Sequence, residues 1–585
     1  MKNKINIFLP LLTALFVLAS CDLTRDPKDK LSPETYFKSG EECRLFTNAF
    51  YTLLPGAAAV YGEGEDYIIG TGLSAEVLGN RTVPSTASTW NWAKLRDINF
   101  YLGRSHQCTD PIARAQYDGV AKFFRAWFYF DKVRRYGDVP WVDVALDAND
   151  PTLYRPRDSR KVVMQHVLED INYAIENLPE KTMVTTVNKW TALALKSRIF
   201  LFEGTYRKYH NLGDWEACLQ EAKAAAKSFL ELAPYVIYKP DGTTTPYLDL
   251  FNGLQSDQSE VILARSYAAA IGLTHDCNGR FLSASMGRPG ITKDVINSYL
   301  MSDGTRFTDN ANYNKMTFLD EVQDRDPRLA QTIRTPGYCR KGTTTPVAPS
   351  FESTVTGYHI IKYVAEIEYD SYNVSEQDMP IIRKAEVCLN YAEACAELGE
   401  ITQDDLDISL NLLRDRVGMP GLVLADANAL PDPYLDNDQT GYPGVTGANK
   451  GVILEIRRER TVELICEGHR YWDIMRWACG ARFVRPLHGM YIPGVGSYDL
   501  NNDSQIDLVV YDDDMPTVSG SASVKSLDEL CLTEGTSGLV TLFADTERKF
   551  DPNKDYLYPV PTEDRVLTQG VITQNPGWND GLQFN

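Results

Sequence analysis

Glu455, Glu459, Glu463 and Glu467 stand four residues apart, which on a helix sets four carboxylates along one stripe, and Arg457, Arg458, Arg460, Arg470 and Arg476 surround them. Such a stripe could do general acid–base work or hold a metal. A carboxylate metal site of the helix-bundle type needs Glu-x-x-His repeats from paired helices, and the one histidine nearby, His469, falls at the wrong offset from Glu467. A structural reading accounts for the stripe better. Acids and guanidiniums would pair in charge-assisted hydrogen bonds with neighbouring helices, with Arg125, Arg134 and Arg135 as expected partners.

Other catalytic constellations are missing from the sequence. The seven histidines (106, 166, 210, 275, 359, 469 and 488) include no pair within one helical turn, so zinc chemistry of the H-E-x-x-H type is absent. There is no G-x-S-x-G elbow and no phosphate-cradling glycine loop. A glycoside hydrolase needs only two carboxylates about 5–10 Å apart, and 79 acidic residues leave that alternative open. One ion site has the right spacing. Asp499, Asn501, Asp503, Gln505 and Asp507 sit at positions 1, 3, 5, 7 and 9 of a calcium loop, although Ser504 replaces the usual glycine and Val510 the closing glutamate. A structural calcium ion is the one cofactor this spacing suggests, and a solvated acidic turn is the competing reading.

Sugar capture without catalysis asks for less: aromatic faces for the C–H side of a pyranose and polar groups for its hydroxyls. The segment with Tyr61, Tyr67, Glu76, Asn80, Arg81, Trp90 and Trp92 has that mixture. Tyr267, His275, Asp276, Asn278, Arg280 and Arg288 form a second candidate surface. The competing reading makes Trp90 and Trp92 anchors of the following helix, Trp92 above all, because it precedes Leu95 by three.

The elements that must position these groups are mostly helical. Phe123, Trp127 and Phe130 recur at helical spacing up to Gly137 and Pro140, and Val162–Leu178 is a second amphipathic helix. Trp190–Leu232, with a break expected at Gly204, and Ile382–Val417 read as helix–turn–helix units with alanine-rich first limbs. Small residues there let a second helix approach closely, in a manner similar to tetratricopeptide hairpins. Residues 55–92, 233–290, 335–380 and 425–450 are irregular, with short strands such as Val261–Leu263 and Leu508–Tyr511. Long loops in a packed protein are usually functional. The expectation is one compact, mostly α body whose two sequence halves, 31–250 and 280–585, meet near residues 250–280.

The N-terminus speaks to compartment. Lys2 and Lys4 precede an apolar run, Ile5–Ala19, that is too short to span a bilayer, and Leu18-Ala19-Ser20-Cys21 closes it. Residues 1–20 read as a signal peptide, Cys21 resembles the acylated cysteine of a lipobox, and the polar residues 21–30 form a tether. The mature chain would be held to a membrane by lipid. Loss of Lys2 and Lys4 takes the formal charge from −20 to −22, which repels phosphate backbones and argues against nucleic acid as a partner. No cysteines form a C-x-x-C pair, so they read as small core hydrophobes.

Four separated segments resemble the SusD/RagB family of outer-membrane nutrient-binding lipoproteins. They are FRAWFYFDKVRRYGDVP (124–140), LRDINFYL (95–102), EIRRERTVELICEGHRYWDIMRW (455–477), and a closing pair, YLYPVP (556–561) with QNPG (574–577). Asp326–Leu329 and Arg383–Gly399 fit as well, whereas Trp578 stands where a tyrosine is more usual. The resemblance implies a SusD-like fold with tetratricopeptide-like hairpins and a ligand surface built from loops. It further implies docking on a SusC-type TonB-dependent transporter and cell-surface exposure, for which the acidic residue after Cys21 is a similar signal. The family is known for glycan capture, and some members bind peptides. The expected protein is therefore an oligosaccharide binder and not an enzyme. A lipid-anchored glycoside hydrolase, a peptide-binding member and an adhesive surface protein are the alternatives.

Overall fold

The computed structural model describes residues 36–584 apart from Ala148 and Ser519, so the signal peptide, Cys21 and the tether lie outside the described residues. The body is mostly helical, with 41% helix against 9% strand. Among the described residues no helix is long and apolar enough to cross a membrane.

The longest helix, Pro111–Tyr136, starts where Asp110 accepts the Ile112 and Ala113 amides with proline in the first turn, and stops at Gly137 with φ 71°. Helix Arg160–Asn177 lies against it, and the two are locked where Arg125 grips Asp170 with paired hydrogen bonds of 2.6 and 2.8 Å. Lys189–Tyr209 and Trp215–Leu232 form the first hairpin. Gly204 does not end the first limb as its type suggested. It lies inside the helix, where an added Cβ would come within 2.7 Å of Leu219, so the glycine serves close approach of the second limb.

The second expected hairpin is more broken. Met379–Arg383 is a strand paired antiparallel with Val261–Arg265, and the helix begins only at Lys384. It ends at Leu398 with Gly399 in the left-handed region, and its partner limb is split into Gln403–Asp407 and Leu410–Arg416. The run 455–477 also divides, into Lys450–Glu463 and Arg470–Arg476. Between them Cys466 and Gly468 take positive φ, while Glu63 accepts the Cys466 amide at 2.8 Å and the Arg470 amide at 3.2 Å. A carboxylate from far along the chain thus supplies the acceptor that a continuous helix would have provided.

One apolar core joins the N-terminal helices to Lys384–Leu398 and Lys450–Glu463. A second lies beneath the irregular parts, from Ala57 to Val540. Leu508–Tyr511 is a strand, paired antiparallel with Gly496–Tyr498 and parallel with Ser523–Ser526. The cysteines among the described residues are free thiols, most of them buried.

Candidate functional site

The glutamate stripe is a buried ion ladder. Glu463 meets Arg383 at 2.7 Å and both Arg328 and Arg416 at 3.0 Å. Glu467 binds Arg383 at 2.6 Å and Lys362 at 2.7 Å; Glu459 takes Arg414 at 3.0 Å and also Arg328. Burial alone would raise the Glu463 carboxyl, yet Arg416, Arg383 and Arg328 hold it down at about 2. These oxygens are spent on protein donors. The expected partners differ, however: Arg125 pairs with Asp170, and Arg134 and Arg135 share Asp131. The ladder's bases come instead from segments 328–416, which no local spacing could reveal.

The turn 88–95 is held by Lys132, whose Nζ donates to the carbonyls of Asn91 (2.9 Å) and Thr89. Trp90 is only 2% exposed and meets Tyr136 edge-on at 4.6 Å. Trp92 packs on Phe128 at 5.5 Å but keeps part of its ring accessible. The turn forms a wall between two clefts. Trp90, Trp92, Leu95 and Arg96 face one of about 540 Å³, which Asn99, Val142, Tyr154, Arg155 and Asp564 complete. Ser88, Thr89, Asn91 and Lys94 face another of about 520 Å³, beside Trp127, Arg134, Arg135 and Trp472. Both volumes fall in the range of small-ligand sites, about 300–1,000 Å³.

The first cleft suits a sugar ring. Tyr154 is 53% exposed and offers a ring as a platform, Trp92 lines the same hollow, and Arg96, Arg155 and Asp564 supply donors and acceptors among apolar walls.

Most of the residues proposed from sequence lie elsewhere. Tyr61 is in the core against Phe281 and His275. The Tyr67 hydroxyl bonds Thr461 at 2.6 Å and Tyr442 at 2.9 Å, under the Arg470 guanidinium. Arg81 pairs with Asp555 at 3.1 Å and stacks over Tyr558 and Trp578, so it ties the loop to the closing motif. The Tyr267 hydroxyl accepts the Ala57 amide at 2.6 Å. Arg280 donates to the Met286 carbonyl and Arg288 to that of Phe351. These groups are committed to protein partners, because anchoring long loops consumes their rings and donors. Of the rings proposed from sequence, Trp90 lines the first cleft but is buried, and Trp92 keeps part of its surface accessible there. Sequence reasoning passed over Tyr154, Arg155 and Asp564; the run Pro151–Arg155, polar and aromatic after a proline, was the available signal.

The loop 499–507 closes on itself. The Asp499 carboxylate accepts the amides of Asn501, Asn502, Asp503 and Ser504, Asp507 accepts that of Leu500, and Asn501 Nδ2 donates to Asp503. Among the described residues no group of three His, Cys, Asp or Glu is placed to hold a metal ion. The carboxylates of Asp499, Asp503 and Asp507 thus accept from the loop's own amides, and a calcium ion held by Asp499, Asn501, Asp503, Gln505 and Asp507 stays a proposal.

Comparison with known proteins is consistent along the chain. The SusD family profile matches residues 263–578, and a second one, described as starch-binding and associating with the outer membrane, matches residues 91–201. A SusD-like protein of Formosa agariphila is 23% identical over 83% of this chain and 94% of its own length. A SusD-like crystal structure from Bacteroides fragilis superposes with a TM-score of 0.69 at 20% identity, covering 95% of this chain and all of that one. A laminarin-binding SusD-like protein superposes at 0.53 with 18% identity, over 92% of this chain and 100% of its own.

Proposed function

Since the chain belongs to the SusD family, a family of carbohydrate-binding proteins, we propose that it captures an oligosaccharide in the Trp92–Tyr154 cleft at the outer membrane and passes it intact to a SusC-type TonB-dependent transporter. The observation that carries the reading is the half-exposed Tyr154 ring opposite the turn of Trp92, with Arg96, Arg155 and Asp564 around them. The laminarin-binding relative and the outer-membrane description of the second profile support the same class of ligand and place. Anchoring is assigned to Cys21. A tether of ten residues reaches about 2 nm by random-coil scaling, so a pore must stand within that distance, and tethering keeps even a modest interface occupied.

Tyr154→Ala should weaken oligosaccharide binding by about 1–2 kcal/mol, the scale of an aromatic contact in a binding pocket. The unfolding midpoint should hardly move, because the ring buries little protein surface. Titration calorimetry on both proteins reads this, and unchanged affinity would remove the cleft from the reading. For the partner, the tagged protein is drawn from native membranes in mild detergent at low salt. A β-barrel transporter should come with it, while the Cys21→Ala protein should leave the membrane fraction. Absence of any transporter, or appearance of shortened oligosaccharide after incubation with purified protein, would favour a stand-alone binder or a hydrolase.

A further inference from the structure

The second cleft, on the other side of the 88–95 turn, has a different charge. Its lining includes seven basic side chains and three carboxylates, Asp131, Glu467 and Asp473, in a chain whose formal charge is −20. The carboxylates are already taken. Asp473 is held by Arg460 and Arg476, and Glu467 by Arg383 and Lys362 from behind the wall. Arg198 is neutralised by Glu386. Asp131 alone must serve both Arg134 and Arg135, and Lys132 is met by backbone carbonyls rather than by a carboxylate. Lys94 stands at the mouth, its side chain 35% exposed and 3.6 Å from Asp97.

Geometry adds to the excess. The two guanidiniums lie over Trp472, at 4.0 Å for Arg134 and 5.0 Å for Arg135. Arg134 uses Nε and Nη2 on Asp131, and Arg135 uses Nε alone. Arg134 Nη1 and both terminal nitrogens of Arg135 find no acceptor among the described residues, and they are not sealed from solvent. The free pair of terminal nitrogens on Arg135, together with Arg134 Nη1, over an aromatic floor matches a planar carboxylate. Burial and the nearby Arg135, against the pull of Asp131, hold the Arg134 guanidinium at about 10, and burial brings the Lys132 amine to about 8. An anion entering the cleft would relieve that strain on the charged forms. The lining also includes Ser88, Asn91 and His469, groups that hydrogen-bond hydroxyls.

We infer that this cleft is a second ligand site, for a carboxylate-bearing sugar, with Arg134 and Arg135 taking the carboxylate and Ser88, Asn91 and Lys94 its surroundings. It is separate from the Trp92–Tyr154 cleft and does not depend on it. The negative body does not forbid this, since charges beyond about 8 Å are largely screened at physiological salt while a cleft focuses its own field.

The test compares trigalacturonate with neutral galactotriose by titration calorimetry on the folded, tether-free protein. The uronate should bind at least tenfold more tightly at 20 mM salt, and the gap should shrink at 500 mM. Arg134 and Arg135 also brace Trp472, so their replacement risks the fold; Lys94→Glu, on the half-exposed rim, is the variant of choice. It should weaken the uronate at least fivefold with an unchanged unfolding midpoint, and Tyr154→Ala should leave uronate binding as it was. Equal affinity for the two sugars, a preference indifferent to salt, or uronate binding that survives Lys94→Glu and falls with Tyr154→Ala would each overturn the assignment. Loss of neutral-sugar binding in Tyr154→Ala bears only on the other cleft.

Discussion

Glu463→Ala should cost about 3–5 kcal/mol of folding free energy, the scale seen when one partner of a buried ion pair is removed and the other charge stays behind. Glu463 is sealed from solvent and accepts from Arg383 and Arg328 while pairing with Arg416. Removing it leaves Arg416 with Glu260 and Arg328 with Asp326 and Glu459, so positive charge outweighs negative among fully buried side chains. Urea unfolding of the two proteins side by side measures the loss, and a difference below about 1 kcal/mol would show that the ladder is not a stability element. The same pair of proteins gives a pH signature. A carboxyl held at about 2 when folded and at about 4.3 when unfolded contributes fully above the unfolded value and loses its contribution as pH falls toward the folded one. The gap between wild type and variant should therefore narrow from about pH 4.5 down to pH 2. Glu386, held near 2 against burial by Arg198, moves wild-type stability in the same direction. His210 and His469, which burial lowers to about 4, do so from about pH 6.5 downward. Glu63, raised to about 7 by burial, and Glu65, raised to about 8 by burial and by Glu63, work the opposite way, which is why the difference between two proteins is the quantity to follow.

Trp90→Ala should destabilise the fold by about 3–5 kcal/mol, the range for emptying a buried aromatic site. The indole is wedged between Tyr136, at the end of the longest helix, and Trp92, and it lines the same cleft as Asp564 near the C-terminus. The 88–95 turn and the end of the longest helix lose their common contact when it goes. The expectation is the reverse of the one for Tyr154→Ala, where affinity falls and stability holds. Denaturant unfolding together with calorimetry separates them. A Trp90→Ala protein as stable as wild type with weaker sugar binding would return Trp90 to the ligand surface.

Helical spacing, capping residues and the four ordered motifs were legible along the chain, because each depends on residues within a turn or two of one another. So was the structural character of the glutamate stripe, since four acids among five arginines can be buried only as pairs. The break at Gly204 was misread, because a glycine that ends a helix and a glycine that admits a neighbour have the same local signature; only the position of Leu219 separates them. The division of 455–477 was hidden because its replacement acceptor, Glu63, lies some four hundred residues away. The open clefts were the least legible part. Tyr61, Tyr67 and Trp92 are all aromatic residues in an irregular stretch, and composition gives them equal claims. Which ring is spent on the core and which stays open depends on what packs behind it: Phe281 behind Tyr61, Arg470 over Tyr67, and Trp90 and Phe128 against Trp92, which leave it half-buried. The family and the helical scaffold are properties of short stretches of chain and can be read there. The two clefts and their charge are sums over distant segments, and they exist only once the chain has folded.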